Sequence, residues 1–213
     1  MKKLPIVVFL LFAQSSLMAA EQGAEENDGF VPLFGTNLDT WRQLNTSLPS
    51  FIFDGGVLQV TGDAGWLSSP RDYGDFELRG QVMFLGQDAD SGIFLRVEPG
   101  TDFIRGWPGD AYQVQMREIT GNTTDDPLPL ANLYRHEVAD GDTDYQRDRV
   151  FELYTGPGEW QMFTIRAVGS TLTVELNGEV VTEAEGLENP TGRIGIQSEA
   201  GFILYRGLEI HEL

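Results

Sequence analysis

Apolar and polar residues alternate through most of the chain beyond residue 50. Phe76, Leu78, Val82 and Phe84 share one parity, against Glu77, Arg79 and Gln81 on the other. Ile93, Leu95 and Val97 oppose Gly92, Phe94, Arg96 and Glu98, and Tyr112, Val114 and Met116 oppose Gln113, Gln115 and Arg117. Successive side chains of a strand point to opposite faces, so each segment predicts a strand with a core face and a polar face. Residues 74–97 read as two long strands joined by an acidic loop. Residues 51–53 and 57–60 flank Asp54-Gly55-Gly56, and residues 171–176 run through Asn177-Gly178 into 179–182. Both are hairpin signals, because these residues accept the positive φ of a tight turn. Gly169-Ser170 joins 160–168 to 171–176, and the segments 192–198 and 202–211 finish the chain. Shorter strands are expected at 65–67, 133–134 and 151–153. In the last strand Arg206 has the parity of Leu208 and Ile210, which requires either a bulge or a buried, paired Arg. No segment keeps a helical period over three turns. The pattern predicts an all-β sandwich or barrel in one domain, with its least regular part at 119–159.

Composition narrows the chemistry. The first twenty residues carry Lys2 and Lys3, an apolar run from Ile6 to Phe12, and small residues at Ala19 and Ala20. This reads as a bacterial signal peptide over 1–20, since the apolar run is too short to span a bilayer. A flexible acidic N-terminus follows at 21–29, then the single domain at 30–213. The expected location is periplasmic or secreted, with no membrane insertion after signal removal. The full sequence has a formal charge of −19, and both of its lysines lie in the signal segment. Such acidity excludes a basic footprint for nucleic acid, and a mature chain without Lys excludes Schiff-base chemistry. With no Cys and only His136 and His211, a zinc site cannot be assembled. No nucleophile elbow, phosphate loop or dinucleotide fingerprint is present. Asp140, Asp142 and Asp144 have the spacing that opens a calcium loop, but Tyr145 and Phe151 stand where its Gly and Glu belong. Asp88 and Asp90 read similarly. No cofactor is certain, and a divalent metal such as calcium stays a candidate.

The polar parities hold the remaining candidates. Glu77, Arg96, Gln113, Gln115 and Gln197 all fall on strands opposite apolar neighbours. Carboxylates, planar amides and guanidinium forks bind sugar hydroxyls, and Phe94, Trp107 and Tyr134 could cover sugar faces. The alternative is an ordinary water-facing sheet surface. The E-x-D-x-E strand of laminarinase-type jelly rolls is absent.

Several short motifs follow one another in a familiar order. These are Phe30-Val-Pro-Leu-Phe34, Leu38-Asp-Thr-Trp41, Gly74-Asp-Phe-Glu-Leu78, Asp90-Ser-Gly-Ile-Phe-Leu-Arg96 and Tyr112-Gln-Val-Gln115. Gly158-Glu-Trp160, Leu176-Asn-Gly178, Gly192-Arg-Ile-Gly-Ile-Gln197 and Tyr205-Arg-Gly-Leu208 complete the series. In this order the chain resembles the 3-keto-disaccharide hydrolase domain family from about residue 30 to 213. The resemblance implies a concanavalin-A-like jelly-roll β-sandwich of two curved antiparallel sheets. It also implies cleavage of 3-keto-glycosides, by hydrolysis or by elimination and hydration, with a carbohydrate or glycoside as partner. On it, Arg96 is expected to hold an oxyanion, and Glu77 to act as base or acid or to orient Arg96. Gln113 stands where the family has an acid, and Ser198-Glu-Ala-Gly201 where it often has His-Gly. The substitute proton-transfer group is then Glu118, His136 or Glu199, with Glu199 preferred because it shares parity with Gln197. The expected site is Glu77, Arg96 and Glu199, with Phe94, Trp107, Gln113, Gln115, Tyr134 and Gln197 binding substrate. The alternative functions are a catalytically inactive carbohydrate-binding module of the same fold, and a surface interaction protein.

Overall fold

The three tight-turn signals become hairpins in the computed structural model, which describes residues 28–46, 49–62, 64–98, 103–104, 107–120, 129–136 and 142–213. The expected signal peptide and most of the expected flexible segment lie outside the described residues. The strands in chain order begin with β1 (Val31–Pro32), β2 (Arg42–Leu44), β3 (Phe51–Asp54), β4 (Val57–Thr61) and β5 (Gly65–Tyr73). β6 (Phe76–Phe84), β7 (Asp90–Val97), β8 (Phe103–Ile104), β9 (Trp107–Pro108) and β10 (Ala111–Arg117) follow. Then come β11 (Leu133–His136), β12 (Thr143–Tyr145), the helix α1 (Arg147–Leu153), β13 (Gln161–Val168) and β14 (Thr171–Leu176). β15 (Glu179–Ala184), β16 (Gly192–Ser198) and β17 (Phe202–Glu212) end the chain. Gly55 and Gly56 turn β3 into β4 with φ of 55° and 80°, and Asn177 and Gly178 turn β14 into β15 with 50° and 87°. Two-residue loops with both φ positive match the twist of the strands they join.

The strands form two antiparallel sheets. The larger runs β12-β15-β14-β13-β6-β17-β4-β3, with β1 also on β17, and the smaller runs β11-β10-β7-β16-β5-β2. β8 and β9 make a separate small hairpin. Phe76, Leu78, Val82 and Phe84 of the larger sheet meet Ile93, Leu95, Val114 and Ile196 of the smaller in one core, each fully buried. This is the expected jelly-roll sandwich.

Three local expectations change, and one open alternative is settled. The two strands of residues 74–97 do not pair as a hairpin. β6 belongs to the larger sheet and β7 to the smaller, so residues 85–89 cross between layers. The polar faces of β6 and β7 therefore point away from each other. Residues 151–153 belong to α1, whose sequence Arg147-Asp148-Arg149-Val150-Phe151-Glu152-Leu153 lacks alternation and buries only Val150. β5 extends through Pro70, where β16 bulges between Arg193 and Gly195. Ser69 Oγ accepts the Ile194 N–H at 3.0 Å there. Pro70 is tolerated because a bulge needs no ladder donor from it. Finally, Arg206 is exposed, and a bulge between Arg206 and Glu209, with Gly207 at φ 57°, resets the register.

Candidate functional site

Glu77 and Arg96, the expected catalytic pair, are not brought together. Glu77 lies on the outer face of the larger sheet and pairs with Arg166 at 3.3 Å. Arg79 continues that charged surface, meeting Glu209 at 2.9 Å and Asp28 at 2.7 Å. Arg96 has φ 50°, a left-handed residue inside a strand, which interrupts the alternation of β7. Its guanidinium is buried and spans three connections. Nε donates to Gly74 O at 3.1 Å, Nη1 to Gly169 O and Asn189 O at 2.6 and 3.1 Å, and Nη2 to Asp75 at 2.9 Å. The Arg96 fork thus ties the β5–β6 turn, the β13–β14 turn and the segment entering β16. The resumed alternation turns Val97 onto the outer face of the smaller sheet.

That outer face holds the other candidates. Asp90, Gly92 and Phe94 of β7 lie opposite Arg117, Gln115 and Gln113 of β10, and Tyr134 of β11 lies opposite Gln113. Gln197 of β16 flanks β7 on its other side. Gln113, Gln115 and Gln197 are at most 3% exposed, which a water-facing sheet surface does not produce. Their amides are joined. Gln113 Nε2 donates to Gln115 Oε1 and, at 2.9 Å, to Gln197 Oε1. Gln115 Nε2 donates to Asp90 at 2.7 Å, and Gln197 Nε2 to Glu199 at 2.9 Å. At the other end His136 Nε2 lies 2.7 Å from Gln113 Oε1. Arg117 Nε reaches Asp90 at 3.3 Å.

Aromatic rings border this network. Trp66, Phe94, Val97 and Ala111 form a small apolar cluster on the face, with Leu44 and Trp107 packed against it. Trp66 and Phe94 meet edge to face at 5.9 Å, and His136 meets Phe94 at 5.6 Å and Tyr134 at 4.3 Å. Trp107 Nε1 donates to Ser198 O at 3.3 Å. The buried Trp66 Nε1 has no partner among the described residues. Two glycines make the arrangement fit. A Cβ on Gly92 would stand 2.3 Å from Gln113 Nε2, and one on Gly195 would stand 2.5 Å from the Trp66 ring. The absent side chains let the amide cross β7 and the indole lie over β16.

Burial sets the charges. It disfavours imidazolium and pushes His136 down to about 4, so the ring is neutral at neutral pH. Burial pushes Glu199 up, against the Arg117 charge and the Gln197 hydrogen bond. Glu118, the other alternative acid, is fully buried and accepts from Thr120 N and Oγ1 at 2.8 and 2.6 Å. Among the described residues no three His, Cys, Asp or Glu side chains converge to hold a divalent cation. Asp90 is engaged by Gln115 and Arg117, Glu199 by Gln197, and the His136 Nε2 edge by Gln113. Asp140 lies outside the described residues.

The structure thus gathers Phe94, Trp107, Gln113, Gln115, Tyr134, Gln197 and Glu199 at the outer face of the smaller sheet, and leaves out Glu77 and Arg96. It adds His136, Asp90, Arg117 and Trp66. Parity already put Arg117 with Gln113 and Gln115, whereas Asp90 was read with the acidic loop. Nothing in the sequence paired His136 with Gln113.

A jelly roll with a buried, ring-bordered face of amides and carboxylates has the layout of proteins that act on or bind carbohydrate. Residues 29–211 match the model of the 3-keto-alpha-glucoside-1,2-lyase-like domain, and the chain belongs to that family. Membership makes it a glycoside-related hydrolase or a carbohydrate-binding protein. Two structures from Parabacteroides distasonis ATCC 8503, each named a putative glycosyl hydrolase, share the fold at TM-score 0.65. They are 20% and 16% identical, covering 86% and 87% of this chain and 99% and 94% of theirs. Carbohydrate-binding module CBM66 from Bacillus subtilis is similar at TM-score 0.53 and 11% identity, over 82% of this chain and 97% of that one. At these identities the likeness establishes the fold alone. A comparison with curated protein sequences gave no match.

Proposed function

We infer that the chain is a secreted enzyme that cleaves 3-keto-glycosides by elimination, with hydration of the product completing a net hydrolysis. The observation that carries this reading is His136. It is held neutral, bordered by Phe94 and Tyr134, engaged through Nε2, and without a protein partner at Nδ1 among the described residues. A ketone at C3 acidifies the hydrogen at C2. His136 Nδ1 takes that proton, and the C–H electron pair forms the C2–C3 enolate. The enolate collapses to restore the ketone, a C1–C2 double bond forms, and the C1–O bond breaks. Glu199, whose burial favours the protonated carboxyl, gives its proton to the departing oxygen. His136 ends protonated and Glu199 ionised, and exchange with solvent resets both. Addition of water across C1–C2 then yields the free 3-keto sugar. Trp107, partly buried, and Tyr134, exposed, supply the aromatic surface for the C–H face of a sugar ring, over a buried floor of Trp66 and Phe94.

The test is incubation of the purified protein with a 3-keto-glucoside, with and without divalent metal, following release of the aglycone. Cleavage is expected, and His136→Gln should lower it by roughly 10²–10⁴-fold, the span of a general base. An intact glycoside would overturn the enzymatic reading. A second reading, sugar binding without turnover, is favoured by the weak basicity of His136 and by an amide at position 113. Thermal protection by the glycoside without cleavage would select it. Secretion rests on residues 1–20, and an N-terminus mapped after residue 20 in a periplasmic or released fraction would test it.

A further inference from the structure

Every hydrogen on the amide face can be placed by starting from its two carboxylates. Asp90, paired with Arg117, only accepts hydrogen bonds, and Glu199, with its acidic hydrogen on the oxygen turned away from Gln197, accepts through the other oxygen. Asp90 lies 2.7 Å from Gln115, and Glu199 lies 2.9 Å from Gln197. Each glutamine must therefore turn its NH₂ outward to the acid and its oxygen inward to Gln113. Two oxygens then face a single atom of the Gln113 amide, so that atom is the nitrogen, and its two hydrogens match its two acceptors. The Gln113 oxygen is left facing His136 Nε2 at 2.7 Å. It can only accept, so Nε2 carries the ring hydrogen and Nδ1 keeps its lone pair.

The geometry points to a tautomer lock, in which Asp90 and Glu199, acting through Gln115, Gln197 and Gln113, hold His136 with its hydrogen on Nε2 and its basic nitrogen, Nδ1, free for substrate. The proposal rests on the reading of His136 as the base. The three glutamines are positioning residues, since each amide group is spent on its neighbours. Asp90 is paired with and oriented by Arg117 at 3.3 Å. Gly92 is part of the device, because a Cβ 2.3 Å from Gln113 Nε2 would push the central amide off both acceptors. A merely structural network would be served equally well by either direction of the hydrogen bonds. The acids at its ends select one.

The tautomer can be read without substrate. The chain has only two His residues, so ¹⁵N-histidine labelling of the full protein gives two rings, with His211→Gln assigning the second. At neutral pH the wild type should show His136 as one tautomer, with a protonated Nε2 and an unprotonated Nδ1. The double variant Asp90→Asn/Glu199→Gln keeps the shapes and replaces both acids by amides. Arg117 only donates, so Asn at 90 should turn its oxygen to Arg117 and its NH₂ to Gln115, and the chain can reverse. The Nδ1–H form should then appear. Gly92→Ala should admit it too, without changing any amide or acid. Wild-type His136 found as the Nδ1–H form or as a mixture would overturn the lock, whether or not the variants fold. So would a double variant that keeps Nε2–H alone. A locked ring in a protein that leaves 3-keto-glucoside intact would overturn the enzymatic reading and leave the lock standing. A mixed tautomer in an active enzyme would do the reverse.

Discussion

Arg96 is expected to act through stability rather than on sugar. Its side chain is fully buried and its fork donates to Gly74 O, Gly169 O, Asn189 O and Asp75. Arg96→Ala removes every one of these donors at once. The Asp75 side chain is 40% exposed and can recover hydration, so its share of the loss is small. The carbonyls recover less, and an unsatisfied buried acceptor costs roughly 1–3 kcal/mol. Truncating one partner of a buried charge network costs about 3–5 kcal/mol in total, because the separate losses do not add in full. For a domain of this size each kcal/mol lowers Tm by roughly 2–4 °C, which predicts a fall of about 10 °C. The backbone gives an internal control. Arg96 sits at φ 50°, where a Cβ costs roughly 1–2 kcal/mol, so Arg96→Gly should be more stable than Arg96→Ala by about 1 kcal/mol. Arg96→Lys should fall between wild type and Ala, since an ammonium cannot span the fork. Urea denaturation of the purified variants measures all three, and glycoside affinity of the folded fraction should not change. An Arg96→Ala protein within 0.5 kcal/mol of wild type, on the ~±0.5 kcal/mol scale of neutral surface changes, would refute the latch. So would one that keeps its stability and loses the glycoside.

Other consequences follow from burial and sterics. Unfolded His136 protonates near pH 6.5 and folded His136 near 4, so its contribution to stability is complete above 6.5 and lost as pH falls to about 4. The loss is about 2–3 kcal/mol, and the urea midpoint of His136→Gln should fall less steeply over that window; equal slopes would refute it. Glu199 works in the opposite sense, because its raised folded pKa favours the fold at acid pH and that gain is lost as pH rises through the folded value. In the enzymatic reading kcat/KM should hold down to about pH 4 before its acid limb, and a limb near 6.5 would show that His136 is not the base. Glu77→Gln should leave glycoside cleavage unchanged, since Glu77 pairs with Arg166 on the outside of the larger sheet; a tenfold loss would return it to the site. Gly195→Ala should displace the Trp66 ring, costing roughly 1–3 kcal/mol and weakening glycoside binding, with indole fluorescence as the monitor.

Local pattern made the strands legible, and pairing made their meaning. The turns at Asp54-Gly55-Gly56 and Asn177-Gly178 were readable because only a few residues accept two positive φ values in succession. The parity of Gln113, Gln115 and Gln197 was readable because alternation holds wherever a strand stays regular. Parity does not say which sheet a strand joins. Residues 85–89 could close a hairpin or cross between layers, and only the crossing separates Glu77 from the face that Asp90 and Phe94 share. Nor does parity survive a left-handed residue, and Arg is not a type that announces one.

The position of the acids carries the last step. The family resemblance implies a carboxylate at 113, and the chain has an amide there. Spacing made Asp90 only a calcium candidate beside a plain acidic loop, and the resemblance with parity gave Glu199 to proton transfer, as separate matters. In the fold both acids terminate the chain of hydrogen bonds that begins at His136, and Gln113 is its junction. A carboxylate at 113 would put a negative charge close to Asp90 and would offer no hydrogen to Gln115 or Gln197. The amide is therefore what this arrangement requires at 113. Its presence argues for a site rebuilt around a neutral imidazole, since a residue merely relieved of function would have no reason to have both of its amide hydrogens and its oxygen engaged.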